Sequence, residues 1–131
     1  MQAINEAAAT VMRKLVGKLY DDYLKLDNAP GRYMPVVVEQ VMGRPGFTAV
    51  YSVAHYGEQN NDLMADPEMT FGDRDGKFYP LTFRNDYLGF NQDVIRYCEG
   101  KEPVVNDGQQ KELAEFAAQW FRNIATQQGI E

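Results

Sequence analysis

The sequence predicts an α+β domain: an antiparallel sheet of about four strands flanked by an N-terminal and a C-terminal helix, in the order α-β-β-β-β-α. Three observations predict it. Apolar residues recur at helical spacing near both ends, β-branched and aromatic runs fill the middle, and Gly, Asn, Asp and Pro clusters punctuate those runs. The 131 residues suit one domain spanning 1–131. A hydrophobic content of 44%, with fifteen Phe and Tyr and one Trp, supplies a core and argues against intrinsic disorder.

The first helix is expected from Ile4, Ala8, Val11, Leu15, Leu19, Tyr23 and Leu26, which recur every three or four residues. Asn5 or a neighbour can begin it, and Asn28-Ala29-Pro30-Gly31 ends it. Gly17 weakens its middle by about 1 kcal/mol relative to alanine. Pro35 to Met42 is rich in valine and reads as a strand, and Gly43-Arg44-Pro45-Gly46 is turn chemistry. Phe47 to Tyr56 then returns as a central strand, antiparallel to its predecessor.

Gln59-Asn60-Asn61-Asp62 is the next turn, because asparagine tolerates positive φ at low cost. A short Leu63-Met64 piece leads to a third strand, Glu68 to Phe71, which Pro67 consigns to an edge for want of a donor. Asp73-Arg74-Asp75-Gly76 closes another hairpin, and Lys77 to Arg84 is the fourth strand. Residues 85–105 read either as a short helix or as an irregular aromatic segment. The last helix is the clearest element. Leu113, Phe116, Ala117, Trp120, Phe121 and Ile124 follow i, i+3, i+4, i+7 spacing, Asn106 or Asp107 can cap its start, and Gly129 suits its end.

Charge is placed unevenly. Between Gly57 and Gly76 six acids, Glu58, Asp62, Asp66, Glu68, Asp73 and Asp75, face Arg74 alone, so this window carries −5 of the net −6. An acidic balance opposes direct nucleic-acid binding, which needs clustered Lys and Arg for phosphates. It permits a protein partner with a basic surface, or a divalent cation, instead. The lone cysteine, Cys98, excludes an intramolecular disulfide. The N-terminal residues lack a secretory pattern and no run is long and apolar enough for a membrane span, so a cytoplasmic setting is expected.

Catalytic and metal signatures are missing. His55 and Cys98 are single residues without a positioned third group, and no G-x-S-x-G, P-loop or dinucleotide pattern occurs. Asp73-x-Asp75-Gly76 begins like a calcium loop, but the fifth position is Lys77 and the twelfth Arg84, so it reads as a hairpin turn. Neither a metal nor another cofactor is expected. Tyr79, Phe83, Tyr87, Phe90 and Tyr97 with Arg84 and Arg96 suggest base stacking, but Asp86, Asp93 and Glu99 oppose phosphate, and core packing is the better reading.

The stretch His55-Tyr56-Gly57-Glu58-Gln59-Asn60-Asn61-Asp62-Leu63-Met64-Ala65-Asp66-Pro67-Glu68-Met69 resembles the signature H-Y-x-x-Q-N-G-D-L-x-x-D-P-E. That signature marks an uncharacterised bacterial family, a domain of unknown function in small proteins of plasmids, conjugative elements and phages. Leu26-Asp27-Asn28-Ala29-Pro30-Gly31 and the Trp-bearing last helix are similar too. Asn61 stands where that family has glycine, and asparagine is the next-best residue for such a turn. The resemblance implies a mobile-element setting and no particular chemistry.

The function expected is therefore a non-enzymatic, protein-binding accessory factor of a mobile element, in its sharpest form an anti-CRISPR or anti-restriction inhibitor, by analogy alone. Its binding residues would be Glu58, Asp62, Asp66, Glu68, Asp73 and Asp75, acting toward Lys and Arg of the partner. Two alternatives stand beside it: a small oligomerising scaffold, and an enzyme using His55 with Glu58 or Asp62, aided by a divalent ion.

Overall fold

A computed structural model describes residues 1–130, as an α+β domain of two helices and eight strands. Helix α1 spans Glu6–Val16, and the strands are β1 Tyr23–Leu26, β2 Val36–Val41, β3 Ala49–Gln59, β4 Asp62–Arg74, β5 Lys77–Asn85, β6 Phe90–Asp93, β7 Ile95–Arg96 and β8 Val104–Val105, before helix α2 at Asp107–Gln128. Strands β1 to β6 form one antiparallel sheet in sequence order, and β7 pairs with β8 in a second. The helices flank the sheet in the chain as expected, but eight strands in two sheets replace about four in one.

Each difference has a local cause. Helix α1 starts at Asn5, whose side chain accepts the Ala8 N–H at 2.8 Å, and stops at Gly17 rather than near Asn28. Beyond Gly17, Asp21 and Asp22 both take positive φ, and Tyr20 and Tyr23 exchange backbone hydrogen bonds of 3.0 and 3.1 Å across that tight turn. Tyr23 and Leu26, expected to extend the helical stripe, belong instead to β1, at the edge of the sheet. Residues four apart on a helix and residues on a short strand can share one apolar signature.

Strands β2, β3 and β5 lie close to their expected positions, with β3 well inside the sheet. The edge placement around Pro67 is overturned. Strand β4 runs unbroken for 13 residues between β3 and β5, absorbing the Leu63-Met64 piece. Pro67 is tolerated because register slips there: Ala54 pairs with Glu68 and Tyr56 with Ala65, so Asp66 and Pro67 together oppose His55 alone. A bulge residue has no ladder bond to donate, which removes the objection to proline. Residues 85–105 contain no helix; they hold β6, β7, β8 and connecting turns.

Both helices contribute to one core with a single sheet face. Val36, Val38, Val53, Met69 and Phe71 meet Met12 and Leu15 of α1 and Ala117, Phe121 and Ile124 of α2, and all are essentially solvent-free. The Phe71 and Phe121 rings lie 5.4 Å apart. Two buried glutamines of α2 tie down distant chain. Gln110 donates to the Pro80 carbonyl at 3.0 Å and accepts from the Gln2 N–H, while Gln128 accepts from the Asn28 N–H at 2.9 Å and donates to the Met34 carbonyl. The cap residues of α2 are those the sequence indicates, Asn106 at its start and a left-handed Gly129 at its end.

Candidate functional site

Strands β3 and β4 outreach their neighbours. The β2 ladder ends at Val36↔His55 and the β5 ladder at Glu68↔Arg84, so residues 56–65 pair only with each other. They form a two-stranded arm closed by Asn60 and Asn61, both at positive φ, as a two-residue hairpin turn requires. The base of this arm is clamped. Asp86 accepts the Ala65 N–H at 2.8 Å through Oδ2 and donates its own N–H to the Ala65 carbonyl at 2.9 Å. Arg84 grips Asp86 with two nitrogens, at 2.7 and 2.9 Å. That guanidinium, together with the Ala65 N–H, holds the Asp86 carboxyl below its ordinary range. The Tyr87 hydroxyl packs where a Cβ on Gly57 would lie, so only glycine leaves room for that ring in its present position.

The His55–Glu68 motif thus has a structural account for most of its residues. The His55 ring is 8% exposed, shares a 3.0 Å hydrogen bond with the Pro35 carbonyl through Nδ1, and stands edge-on to Trp120 at 5.6 Å. Burial lowers its pKa below the usual histidine range. Tyr56 donates to Glu68 at 2.8 Å; burial first, then that bond and the charges of Glu68 and Glu39, push its pKa well above that of a free phenol. Asp66 accepts from Asn85 at 3.2 Å. Glu58, Asp62 and Leu63, by contrast, are exposed at the outer end of the arm, with Leu63 at 68%.

The six acids singled out from the sequence do not form one patch. Glu58 and Asp62 sit at the tip of the arm, Asp66 and Glu68 near its base, and Asp73 and Asp75 at the far end of β4 and its turn. Eleven residues of strand separate Asp62 from Asp73, which is roughly 37 Å at about 3.4 Å per residue. Three ion pairs form among the described residues, Met1–Asp107, Arg13–Glu6 and Arg84–Asp86, and none uses any of the six. Their charge is therefore not neutralised by contact within the molecule.

The sheet face opposite the helices carries a trough beneath the arm. One lobe, about 490 Å³, runs from Tyr23 and Lys25 over Val37 to Glu58 and Leu63; a second, about 370 Å³, continues past Ser52 and Thr70 toward Arg44. Glu39 and Tyr56 line both. Glu39 and Ser52 are cross-strand partners, and their side chains alternate with the buried Val38 and Val53. Sequence reasoning missed Glu39 and Ser52. The signal was present in β2, where Val36 and Val38 point inward and Glu39 must point away, but it has meaning only once the covered face is known.

Other candidate chemistry is not brought together. His55 and Glu58 are three residues apart on one strand and project from opposite faces, and Asp62 is paired with Gln59 at the tip. Cys98 is exposed beyond β7 while His55 is engaged by Pro35 and Trp120. No group of three or more metal-ligating side chains is found among the described residues. The aromatics assigned to the core divide: Phe83 packs between Phe90 and Phe116, whereas Tyr87 and Phe90 remain nearly half exposed. No helix among the described residues is long and apolar enough to cross a membrane.

Against known proteins, residues 2–130 match a family model described as a domain of unknown function, DUF6908. No curated protein and no solved structure matches the chain.

Proposed function

The chain belongs to the DUF6908 family, and from that premise and the geometry of the β3–β4 arm we propose that it is a protein-binding module that docks on a basic partner surface. One observation carries this reading: a clamped arm projects beyond the sheet and offers Glu58, Asp62 and an exposed Leu63 that contribute nothing evident to the fold. A carboxylate, Glu58, beside the exposed Leu63 on one face of the arm, with Asp62 on the other face, suits a partner surface where Lys and Arg flank an apolar contact. Pre-organisation lowers the ordering cost of such docking. Asp66 and Glu68 extend the negative field along the base, and Asp73 and Asp75 supply a second, separate acidic end.

The resemblance to proteins of plasmids, conjugative elements and phages suggests the setting, an accessory factor of a mobile element, and the acid surplus suits an inhibitor of host defence proteins that grip nucleic acid. The test is affinity capture from a bacterial lysate at low and moderate salt, with wild type beside a Glu58→Gln, Asp62→Asn, Asp66→Asn, Asp75→Asn variant. A specific protein retained by wild type, lost by the variant and weakened by salt is the expected result. Equal capture by both proteins would overturn the acidic docking surface.

A second reading has its own observation. Strand β6 is a sheet edge beside the exposed Leu88, Phe90 and Phe116, and an open edge with apolar neighbours is a template for self-association. Sedimentation across micromolar concentrations distinguishes the two readings, because a strict monomer rules out self-association at this edge.

A further inference from the structure

Strand β6 leaves one side of its backbone open. The Val94 N–H bonds the Leu81 carbonyl at 2.9 Å, and ladder bonds alternate along an antiparallel strand. Phe90 and Gln92 therefore face β5, while Asn91 and Asp93 turn their N–H and C=O groups outward. No strand lies on that side. A cleft of about 620 Å³ runs there instead, between residues 91–94 and the start of α2 at Asn106, Asp107 and Gln109. Open edges are ordinarily guarded by lysine, proline or a bulge, and β6 has none of these. By contrast β1 carries Lys25, and the arm carries Glu58 and Asp62.

The surface beside this edge is apolar and uncharged. Residues 87–92 include no charged side chain, and Leu88 and Phe90 are exposed. Phe90 meets Phe83 at 5.9 Å and Phe83 meets Phe116 at 5.4 Å, so the patch continues onto α2. Next along that helix, Gln119 and Asn123 are exposed amides bonded to each other. A chain of net charge −6 repels its own copies wherever its acids gather. A second copy meets least opposition at a neutral patch along an unguarded edge, whereas a basic partner is drawn to the carboxylates of the arm.

We infer that β6 pairs antiparallel with β6 of a second copy, joining two six-stranded sheets into one across a two-fold axis. Outward residues must meet outward residues, which leaves the axis on Asn91, Gln92 or Asp93. The last two would run the partner strand past Val94, whose carbonyl already accepts the Asn106 N–H at 2.9 Å. The axis therefore falls on Asn91, which faces its own copy, with Gly89 opposite Asp93. An asparagine amide both donates and accepts, so it suits a residue set against itself. The two Asp93 carboxylates are kept apart, and Leu88 and Phe90 lie along the seam. The inference rests on the self-association reading and uses no residue of the arm.

The experiment is sedimentation of the full chain across micromolar concentrations, where monomer should pass to dimer. Asn91→Lys and Asn91→Glu, at an exposed position, each set like charges face to face and keep the chain monomeric, while an equimolar mixture of the two variants pairs again. In a Cys98→Ser background, Asn91→Cys forms a covalent dimer under mild oxidation, because hydrogen-bonded partners stand about 5.5 Å apart at Cα, within disulfide reach. Met42→Cys in the same background does not, although Met42 is 88% exposed. A strict monomer overturns the inference and the self-association reading together. A dimer broken by Leu88→Lys but indifferent to the Asn91 charges, or charged variants that fail to pair when mixed, overturns the strand pairing alone. Loss of the dimer on changing Glu58 and Asp62 would also overturn it, since the arm has no part in this contact.

Discussion

At the residue scale, His55 couples stability to pH. Its folded pKa is lowered by burial against Trp120, with an unfolded reference near ~6.5. The unfolded chain therefore takes up the proton first. The stability that neutral His55 contributes is full above about pH 6.5 and is lost as pH falls through that value toward the depressed folded pKa. Chemical denaturation between pH 8 and 5 should show this loss, and His55→Gln should flatten the slope in that window. Gln110 makes a second residue-scale case. It is solvent-free and bonds both the Pro80 carbonyl and the Gln2 N–H, so Gln110→Leu strands two groups and is expected to cost about 1–3 kcal/mol in urea melts. Helical spacing alone could not reveal either partner, since Gln2 and Pro80 lie 108 and 30 residues away.

At the scale of elements, the arm and the open sheet face each yield an expectation. Asn61 sits at φ 69 in the two-residue turn, where glycine avoids the penalty of a left-handed side chain. Asn61→Gly should be neutral or stabilising by up to about 1 kcal/mol, and Asn61→Val should destabilise, read as opposite shifts in melting temperature. On the sheet, a Cβ at Gly72 would stand 2.5 Å from the Phe47 ring, which the β2–β3 connection lays across β4. Arg74 stacks over that ring at 4.7 Å and over Tyr79 at 5.7 Å, so Phe47 is not free to swing away. Gly72→Ala is expected to cost about 1–3 kcal/mol, as overpacking does. A larger glycine effect at Gly72 than at Gly57 follows, because Gly57 meets the end of the half-exposed Tyr87 side chain, which can move.

At the scale of the whole molecule, the charge surplus is split between two ends of one long strand, and one face of the sheet is left without a helix. Phe121 anchors the covered face against Phe71, and Phe121→Ala is expected to cost about 3–5 kcal/mol while leaving arm and trough chemistry unchanged in what remains folded. Partner binding through the arm should weaken steeply from low to moderate salt, since its acids have no contact partners of their own.

Much of this architecture was legible from local chemistry. Asn5, Asn106 and Gly129 marked helix ends because capping is decided within one turn of chain. The Asn60-Asn61 and Asp75-Gly76 hairpins were equally local, since positive φ selects those residues whatever surrounds them. The sequence by itself determined an α+β domain with an acid-rich middle and two helical ends. Only the tertiary structure decided that Tyr23–Leu26 is a strand, that Pro67 lies inside the sheet, and that residues 90–105 supply strands. Those outcomes depend on which strand lies alongside and on its register, which the residue types of a single segment do not specify. The trough depended on the fold most of all: Glu39, Tyr56 and Glu68 line one lobe because three strands lie side by side and the helices cover the other face.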